Sequence, residues 1–273
     1  SSYLSYSYPV VSWTLFDNIH TLHPGCYIEI NGSQWKTHRY YELPKFTSRE
    51  DKGEEYYIDS IREFLRSSVR YRMISDVPFG AYLSGGLDSS IVVALMSGIS
   101  AGPVKTFTIG FADEGFNEFS YARQVADRYR SDHHEITLSA EQYIETMQKL
   151  IRFKDAPLGV PNEPALHVMS AELKKHITVV LSGEGADEIF GGYGRIFRSP
   201  YDYERLKASA GGDGNALAEY YGNRTFASER EHFLSLYQYV TWEEKQKFLS
   251  GDLTGSLKED AGCNEYFESL FAG

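Results

Sequence analysis

Seven residues constrain this chain more than any others: Ser84-Gly85-Gly86-Leu87-Asp88-Ser89-Ser90. The short apolar run Phe79-Gly80-Ala81-Tyr82-Leu83 precedes them and Ile91-Val92-Val93-Ala94-Leu95-Met96 follows. The first run has the length of a buried strand, and the second reads as part of a helix from Ser90 to about Ser97. The two glycines let the backbone turn sharply and approach a ligand closely. N–H groups in such a turn, with a helix start behind them, form a cradle for an anion. Ser84, Ser89 and Ser90 add hydroxyls. Asp88 is the informative oddity, because a carboxylate repels phosphate. It makes sense if it holds a Mg²⁺ that the phosphates share. The loop lacks the lysine of GxxxxGK[ST] and the glycine spacing of a dinucleotide site. The plain alternative is a turn that only joins strand to helix; three serines and an aspartate around the glycines argue against it.

The surrounding residues alternate strand and helix signals from about 75 to 200. Val104 to Phe111 and Ile177 to Leu181 read as further strands. Glu118 to about Tyr129 reads as a helix with Tyr121, Val125 and Tyr129 on its apolar face. Ser139-Ala140-Glu141-Gln142 has the form of a capping box opening a helix through Ile151, and Glu163 to Lys175 reads as another. Ile58, Ile61, Leu65, Val69 and Met73 give an earlier helix one apolar face. Alternation at this spacing predicts an α/β fold, an open and mainly parallel sheet with helices on both faces.

Two flanking stretches differ. Residues 1 to about 46 are rich in aromatic and β-branched residues, and residues 26–30 and 34–38 around Asn31-Gly32 read as a β-hairpin. A hairpin alone makes no stable sheet, so it must pack on something. Residues 46–53 read as a polar linker, and residues 201–273 as helical with a flexible loop at 211–214.

Composition narrows the partners. With 27 Lys and Arg against 38 Asp and Glu the net charge is −11, which argues against non-specific nucleic-acid binding. At 42% hydrophobic and 24% charged residues a folded core is expected. No apolar run approaches the length of a membrane span, and no signal peptide is visible. Cys26 and Cys263 form no CxxC pair, so free buried thiols in a reducing, cytoplasmic setting are expected.

A second constellation follows the run 177–181: Ser182-Gly183-Glu184-Gly185-Ala186-Asp187-Glu188, then Phe190-Gly191-Gly192-Tyr193. Asp187 lies 187 − 88 = 99 residues beyond Asp88, and both stand at strand ends of one sheet. Two carboxylates from separate loops can share Mg²⁺ with a nucleotide, and Glu184 could contact an intermediate or move a proton. Acids that merely suit a helix dipole are the plain alternative. His133 and His134 invite a metal reading, but neighbours on a strand point to opposite faces. Arg123 is the arginine to check for nucleotide proximity; Arg205 and Lys207 read as exposed helix charges.

Taken together, SGGLDSS and SGEGADE-IFGGY resemble the synthetase domain of glutamine-dependent asparagine synthetases, in the PP-loop, adenine nucleotide alpha hydrolase-like ATP pyrophosphatases. Val104 to Phe111, Asp113 to Glu118 with Tyr121-Ala122, and Asp132-His133-His134-Glu135-Ile136 support the likeness, which runs from about residue 55 to 200. Tyr3-Leu4-Ser5-Tyr6, Thr14-Leu15-Phe16 and Leu22-His23-Pro24-Gly25 resemble the tail of that family's glutaminase domain. The resemblance implies a domain division of 1–46 (the glutaminase tail) and 54–273 (a truncated synthetase domain). It implies that ATP adenylates the side-chain carboxylate of aspartate and releases pyrophosphate, after which ammonia from glutamine gives asparagine and AMP. Adenine and ribose would lie near Leu83, Ile109 and Gly183, with Ser182 beside them. Pyrophosphate would lie on Ser84, Gly85, Gly86, Leu87, Asp88, Ser89 and Ser90, with Mg²⁺ on Asp88 and Asp187 and Glu184 beside the acyl-adenylate.

The departures matter as well. Position 1 is Ser1 where the family's glutaminase has a cysteine nucleophile, and Cys26 lies within the hairpin. Asp155-Ala156-Pro157 stands where relatives often have Asp-Glu-Pro. The family's downstream Arg, Pro, Phe, Leu and Asp segment is not found before Gly273, so the chain reads as a middle fragment expected only to bind nucleotide. The alternatives are a β-lactam-forming or other biosynthetic relative and a non-catalytic nucleotide-binding module. The oligomeric state stays open, a homodimer included.

Overall fold

The computed structural model describes residues 1–10, 12–43, 50–112, 115, 117–209, 217–222, 224–257 and 260–271. Pro44, part of the 46–53 linker, part of the 113–118 stretch and the 211–214 loop lie outside the described residues. The chain forms two compact units, Ser48–Gly192 and a second one made of Ser1–Thr47 with Tyr193–Gly273. In chain order the elements up to residue 190 are α1 (Ser2–Tyr6), β1 (Cys26–Asn31), β2 (Gln34–Arg39), α2 (Glu54–Arg72), β3 (Phe79–Tyr82), α3 (Leu87–Ile99), β4 (Lys105–Phe111), α4 (Phe119–Tyr129), β5 (Asp132–Leu138), α5 (Ala140–Lys154), α6 (Glu163–Leu173), β6 (Val179–Leu181) and α7 (Ala186–Phe190). Among the described residues seven helices follow: α8 (Gly194–Phe197), α9 (Ser199–Ser209), α10 (Ala218–Tyr221), α11 (Glu229–Tyr237), α12 (Trp242–Phe248), α13 (Gly251–Leu257) and α14 (Ala261–Phe271). No described helix is long and apolar enough to cross a membrane.

The first unit is the expected α/β sandwich. Its four strands are parallel, in the order β5-β4-β3-β6. One core joins Val69 of α2, Val93 and Met96 of α3, and Ala122 and Ala126 of α4 to Ala81 and Leu181 of the sheet. The other joins Met169 and Leu173 of α6 to Phe107 and Ile177. Helices therefore cover both faces, as burying a parallel sheet requires. The strand order turns back once. From β3 the chain steps to β4 and β5 on one side, then returns to place β6 on the other. Ligands of such sheets bind beyond the strand carboxyl ends where the order reverses, here between β3 and β6.

Local expectations are met with two corrections. The capping box closes α5, with Gln142 N–H donating to Ser139 Oγ at 3.2 Å and Ser139 N–H to Gln142 Oε1 at 3.0 Å. Helix α3 begins at Leu87 and not at Ser90, so Asp88 sits in its first turn. Helix α4 buries Ala122 and Ala126, while Tyr121 is 61% exposed. The loop after β3 comes close to this helix: a Cβ on Gly85 would lie 2.6 Å from Ala122 N. Val125 packs against the same core, as expected.

In the second unit β1 and β2 pair antiparallel across the two-residue loop Gly32-Ser33, with Gly32 at φ +62°. Glycine at positive φ in the first loop position matches the right-handed twist of the two strands. Helix α1 is tied to the C-terminal helices. Tyr239 N–H donates to Ser5 O at 2.8 Å, and Tyr6 and Val10 pack with Cys263. Lys245, fully buried, donates to Ser1 Oγ at 2.8 Å and to Asp260 Oδ2 at 2.5 Å. Both cysteines are free thiols; Cys263 is buried and Cys26, expected buried, is only half-buried at the start of β1.

Candidate functional site

The two glycine-rich loops leave the sheet at β3 and β6, the neighbours at the reversal. They touch. A Cβ on Gly183 would stand 2.8 Å from Asp88 Cβ and 2.8 Å from Ser89 N, so only glycine permits this approach. A cleft of about 700 Å³ opens beside them, a volume typical of small-molecule sites. Leu87, Asp88, Ser182, Gly183, Glu184 and Gly185 line one end. Helix α2 supplies a wall through Ile61, Leu65 and Val69, which the sequence marked only as an apolar helix face.

The first loop is held by its own hydroxyls. Ser84 Oγ and Ser89 Oγ lie 2.9 Å apart, Ser84 N–H donates to Ser89 Oγ at 3.2 Å, and Gly86 N–H donates to Ser84 Oγ at 3.2 Å. Ser90 Oγ donates to Gly86 O at 2.6 Å. Ser89 is buried, so its hydroxyl shapes the loop from inside. Gly85 has φ +81°, and a Cβ there would stand 2.5 Å from Tyr121 Cβ. Leu87 is exposed at the mouth. The first-turn amides of α3 have no carbonyl behind them within the helix.

The remaining expected residues are placed less uniformly. Glu184 lines the cleft with Asp88, so two carboxylates share it. Asp187, in α7, is outside that lining, and its carboxylate lies against Gly192, whose N–H donates to Asp187 O at 3.0 Å. Leu83 is fully buried, and Ile109 packs in the α6-side core. Neither residue lines the cleft. Among the described residues no group of three or more His, Cys, Asp or Glu forms a cage for a metal. One or two carboxylates beside an open, hydroxyl-rich loop is the donor set that suits Mg²⁺ shared with phosphates.

The other flagged residues are engaged elsewhere. Arg123 Nε and Nη2 each meet a Glu135 carboxylate oxygen at 2.6 Å, and this bidentate pair holds the guanidinium's pKa above its usual value. His133 and His134 do face opposite ways: His133 Nδ1 is 2.9 Å from Thr106 Oγ1, and His134 stacks on Phe107 at 5.0 Å. Burial pushes the His133 pKa down, against the pull of Glu135. Lys207 pairs with Glu204 at 3.0 Å on an exposed face. Glu163, which the sequence did not flag, ties down residues 159–160, accepting from Gly159 N at 2.8 Å while Lys154 Nζ reaches it at 2.6 Å. Burial pushes its carboxyl up, but these donors outweigh that and hold it below the usual range.

Comparison with known proteins adds sequence kinship. The asparagine synthase family profile matches residues 60–260. The chain is 34% identical over 207 residues to asparagine synthetase (glutamine-hydrolyzing) 1 of Bacillus subtilis, covering 75% of this chain and 32% of that protein. It is 32% identical over 181 residues to the asparagine synthetase (glutamine-hydrolyzing) of Zea mays, covering 62% and 30%. Against amidase chry2 of Gibberella zeae it is 30% identical over 205 residues, covering 68% and 31%. The chain thus spans about a third of the length of these relatives. The solved NMN synthetase of Francisella tularensis overlaps 52% of this chain and 59% of its own at a TM-score of 0.34 and 16% identity, too loose a likeness to carry an argument.

Proposed function

Because this chain belongs to the asparagine synthase family over residues 60–260, we propose that its strand-end cleft binds ATP for an amide ligase of that family. The observation that carries the reading is the contact of the two loops at the sheet reversal, Gly183 against Asp88 and Ser89. One ligand can then touch both loops, with its phosphates on the hydroxyl-rich turn and its nucleoside toward the β6 end. Leu83, Ile109 and Gly183 would meet the nucleoside through backbone groups, and Ser182 would add a hydroxyl.

In this reading ATP activates the side-chain carboxylate of aspartate as an acyl-adenylate, breaking the α–β bond. Ammonia then displaces AMP to form asparagine. The amides of residues 84–90, in a loop shaped by its own hydroxyls, would hold the departing pyrophosphate, a task that needs no lysine aimed at a γ-phosphate. Glu184, on the cleft wall, would take the proton that the attacking ammonia loses. Asp88 and, after a side-chain rotation away from Gly192, Asp187 would hold Mg²⁺. That ion would offset charge on the phosphate oxygens.

Residues 1–46 are, on the same reading, the tail of a glutamine amidotransferase domain that supplies ammonia, and residues 54–273 the leading part of the synthetase domain. This ancestry cuts across the compact units, since residues 1–10 pack with the C-terminal helices. Identity of 30% to a protein named an amidase favours keeping a second carboxylate substrate in view.

Calorimetry of ATP·Mg²⁺ with the chain, beside Asp88→Ala and Asp187→Ala, tests the nucleotide reading. Magnesium-dependent binding in the wild type, weakened at least about tenfold in Asp88→Ala, is expected. A folded wild type that binds no ATP·Mg²⁺ contradicts the assignment. Pyrophosphate release by the full-length protein with aspartate, and not with other carboxylates, tests the acceptor. Binding without release would favour a non-catalytic module.

A further inference from the structure

The loop of residues 84–90 has a root as well as a crown. Pairing between β3 and β4 runs Gly80↔Lys105, Ala81↔Thr106 and Tyr82↔Phe107 and stops there. Leu83 N–H still donates to Phe107 O at 2.9 Å. Its carbonyl, where the ladder ends, accepts from the side chain of Thr108. Phe107 and Ile109 pack in the α6-side core, so strand alternation turns Thr108 to the other face, where Ala81 and Leu83 belong to the core. Thr108 is 4% exposed. Valine would serve burial and strand preference there equally well; only the hydroxyl is surplus to packing, and a buried hydroxyl needs a partner.

We infer that Thr108 is a positioning residue for the loop, fixing through the Leu83 carbonyl the direction in which the chain leaves β3. The inference deepens the nucleotide reading of residues 84–90 and rests on it for its consequence in binding. Thr108 lies outside both glycine-rich motifs and is not among the residues that line the cleft. Its effect is carried by geometry. The loop is tied at its root by Thr108 and at its crown by the Ser89 hydroxyl, which reaches Ser84 N, Ser84 Oγ and Gly86 O. With both ties made, Gly85 is the one residue between Ser84 and Gly86 that these hydrogen bonds leave untied, and the anion cradle is formed before any ligand arrives.

Two variants of the chain separate the hydroxyl from the shape. Thr108→Val keeps shape and removes the donor; Thr108→Ser keeps the donor and removes a methyl. Without nucleotide, amide exchange at residues 84–86 should rise about tenfold in the valine variant and stay within about twofold of wild type in the serine variant. ATP·Mg²⁺ affinity by calorimetry should follow the same order. Wild-type loop exchange in Thr108→Val, or equal effects of valine and serine, overturns the inference. A wild type that binds no ATP·Mg²⁺ overturns the nucleotide reading instead, and the exchange comparison still decides the role of Thr108. If Thr108→Val fails to fold by circular dichroism, Thr108→Ser against Thr108→Ala makes the same comparison, because both lose the methyl and only alanine loses the donor.

Discussion

Gly85 and Gly185 look alike in the sequence, each beside a serine- or acid-bearing turn, and both adopt positive φ, +81° and +91°. Their surroundings differ. A Cβ at 85 would meet Tyr121 Cβ at 2.5 Å and Ala122 N at 2.6 Å, whereas a Cβ at 185 meets nothing within 4 Å. Gly185→Ala should therefore cost about 1–2 kcal/mol, the left-handed penalty alone. Gly85→Ala should cost at least about 2 kcal/mol more, because helix α4 must also move. Urea unfolding of the two variants checks this, and equal losses would contradict it. ATP·Mg²⁺ affinity should fall further for Gly85→Ala as well. The chemistry-bearing residues were legible one by one, since Ser84, Asp88 and Glu184 stand out by type beside glycines. Their partners were not. Residue types alone do not tell that Ser89 turns inward to Ser84 or that Asp187 lies against Gly192, because the path of each turn decides it, nor that Arg123 of α4 is held by Glu135 of the next strand.

Elements were legible where the signal is local. The capping box at Ser139 and the Gly32 turn fixed α5 and the hairpin to within a few residues. The face of α4 was read in part: Val125 packs against the core, but large aromatics weigh most in an apolar pattern, and Tyr121 stays exposed while Ala122 and Ala126 are buried. In the C-terminal helices nothing functional was legible, yet they hold a fully buried histidine. His232 of α11 sits 2.7 Å from Ser199 Oγ at the start of α9, ringed by Tyr221 at 4.7 Å and Phe226 at 4.9 Å. Its Nε2 has no hydrogen-bond partner among the described residues. Burial pushes its pKa down, and Asp202 and Glu229 oppose this only in part. A histidine whose folded-state pKa is depressed contributes stability that is complete above the unfolded value of about 6.5 and is lost as pH falls from there toward the folded value. Helices α9 and α11 should thus open more readily at pH 5.5 than at 7.5. Hydrogen exchange corrected for intrinsic rates should show this in the wild type and much less in His232→Gln; identical pH profiles would refute it.

At the scale of the molecule, one face of the hairpin stands unburied. Ile30 is 73% and Trp35 71% exposed, and the two face each other across the strands with Ile28 alongside. An apolar sheet face of this kind favours association. Sedimentation velocity should show concentration-dependent self-association of the chain that Trp35→Lys weakens; a wild type that stays monomeric at high concentration would contradict it. The fold class was legible because alternating strands and helices admit few architectures, but the strand order was not, since which strand lies beside β3 is decided by contacts between segments far apart in sequence. That order has a consequence in time. Val179 pairs with Phe79, 179 − 79 = 100 residues earlier, and closing so long a stretch of chain is entropically slow. During synthesis the residue 84–90 turn emerges first and waits, without its opposing wall, until β6 and the loop after it have left the ribosome. The cleft is therefore among the last parts of the sheet to exist, and a ligand that spans both loops holds shut the seam that closed last.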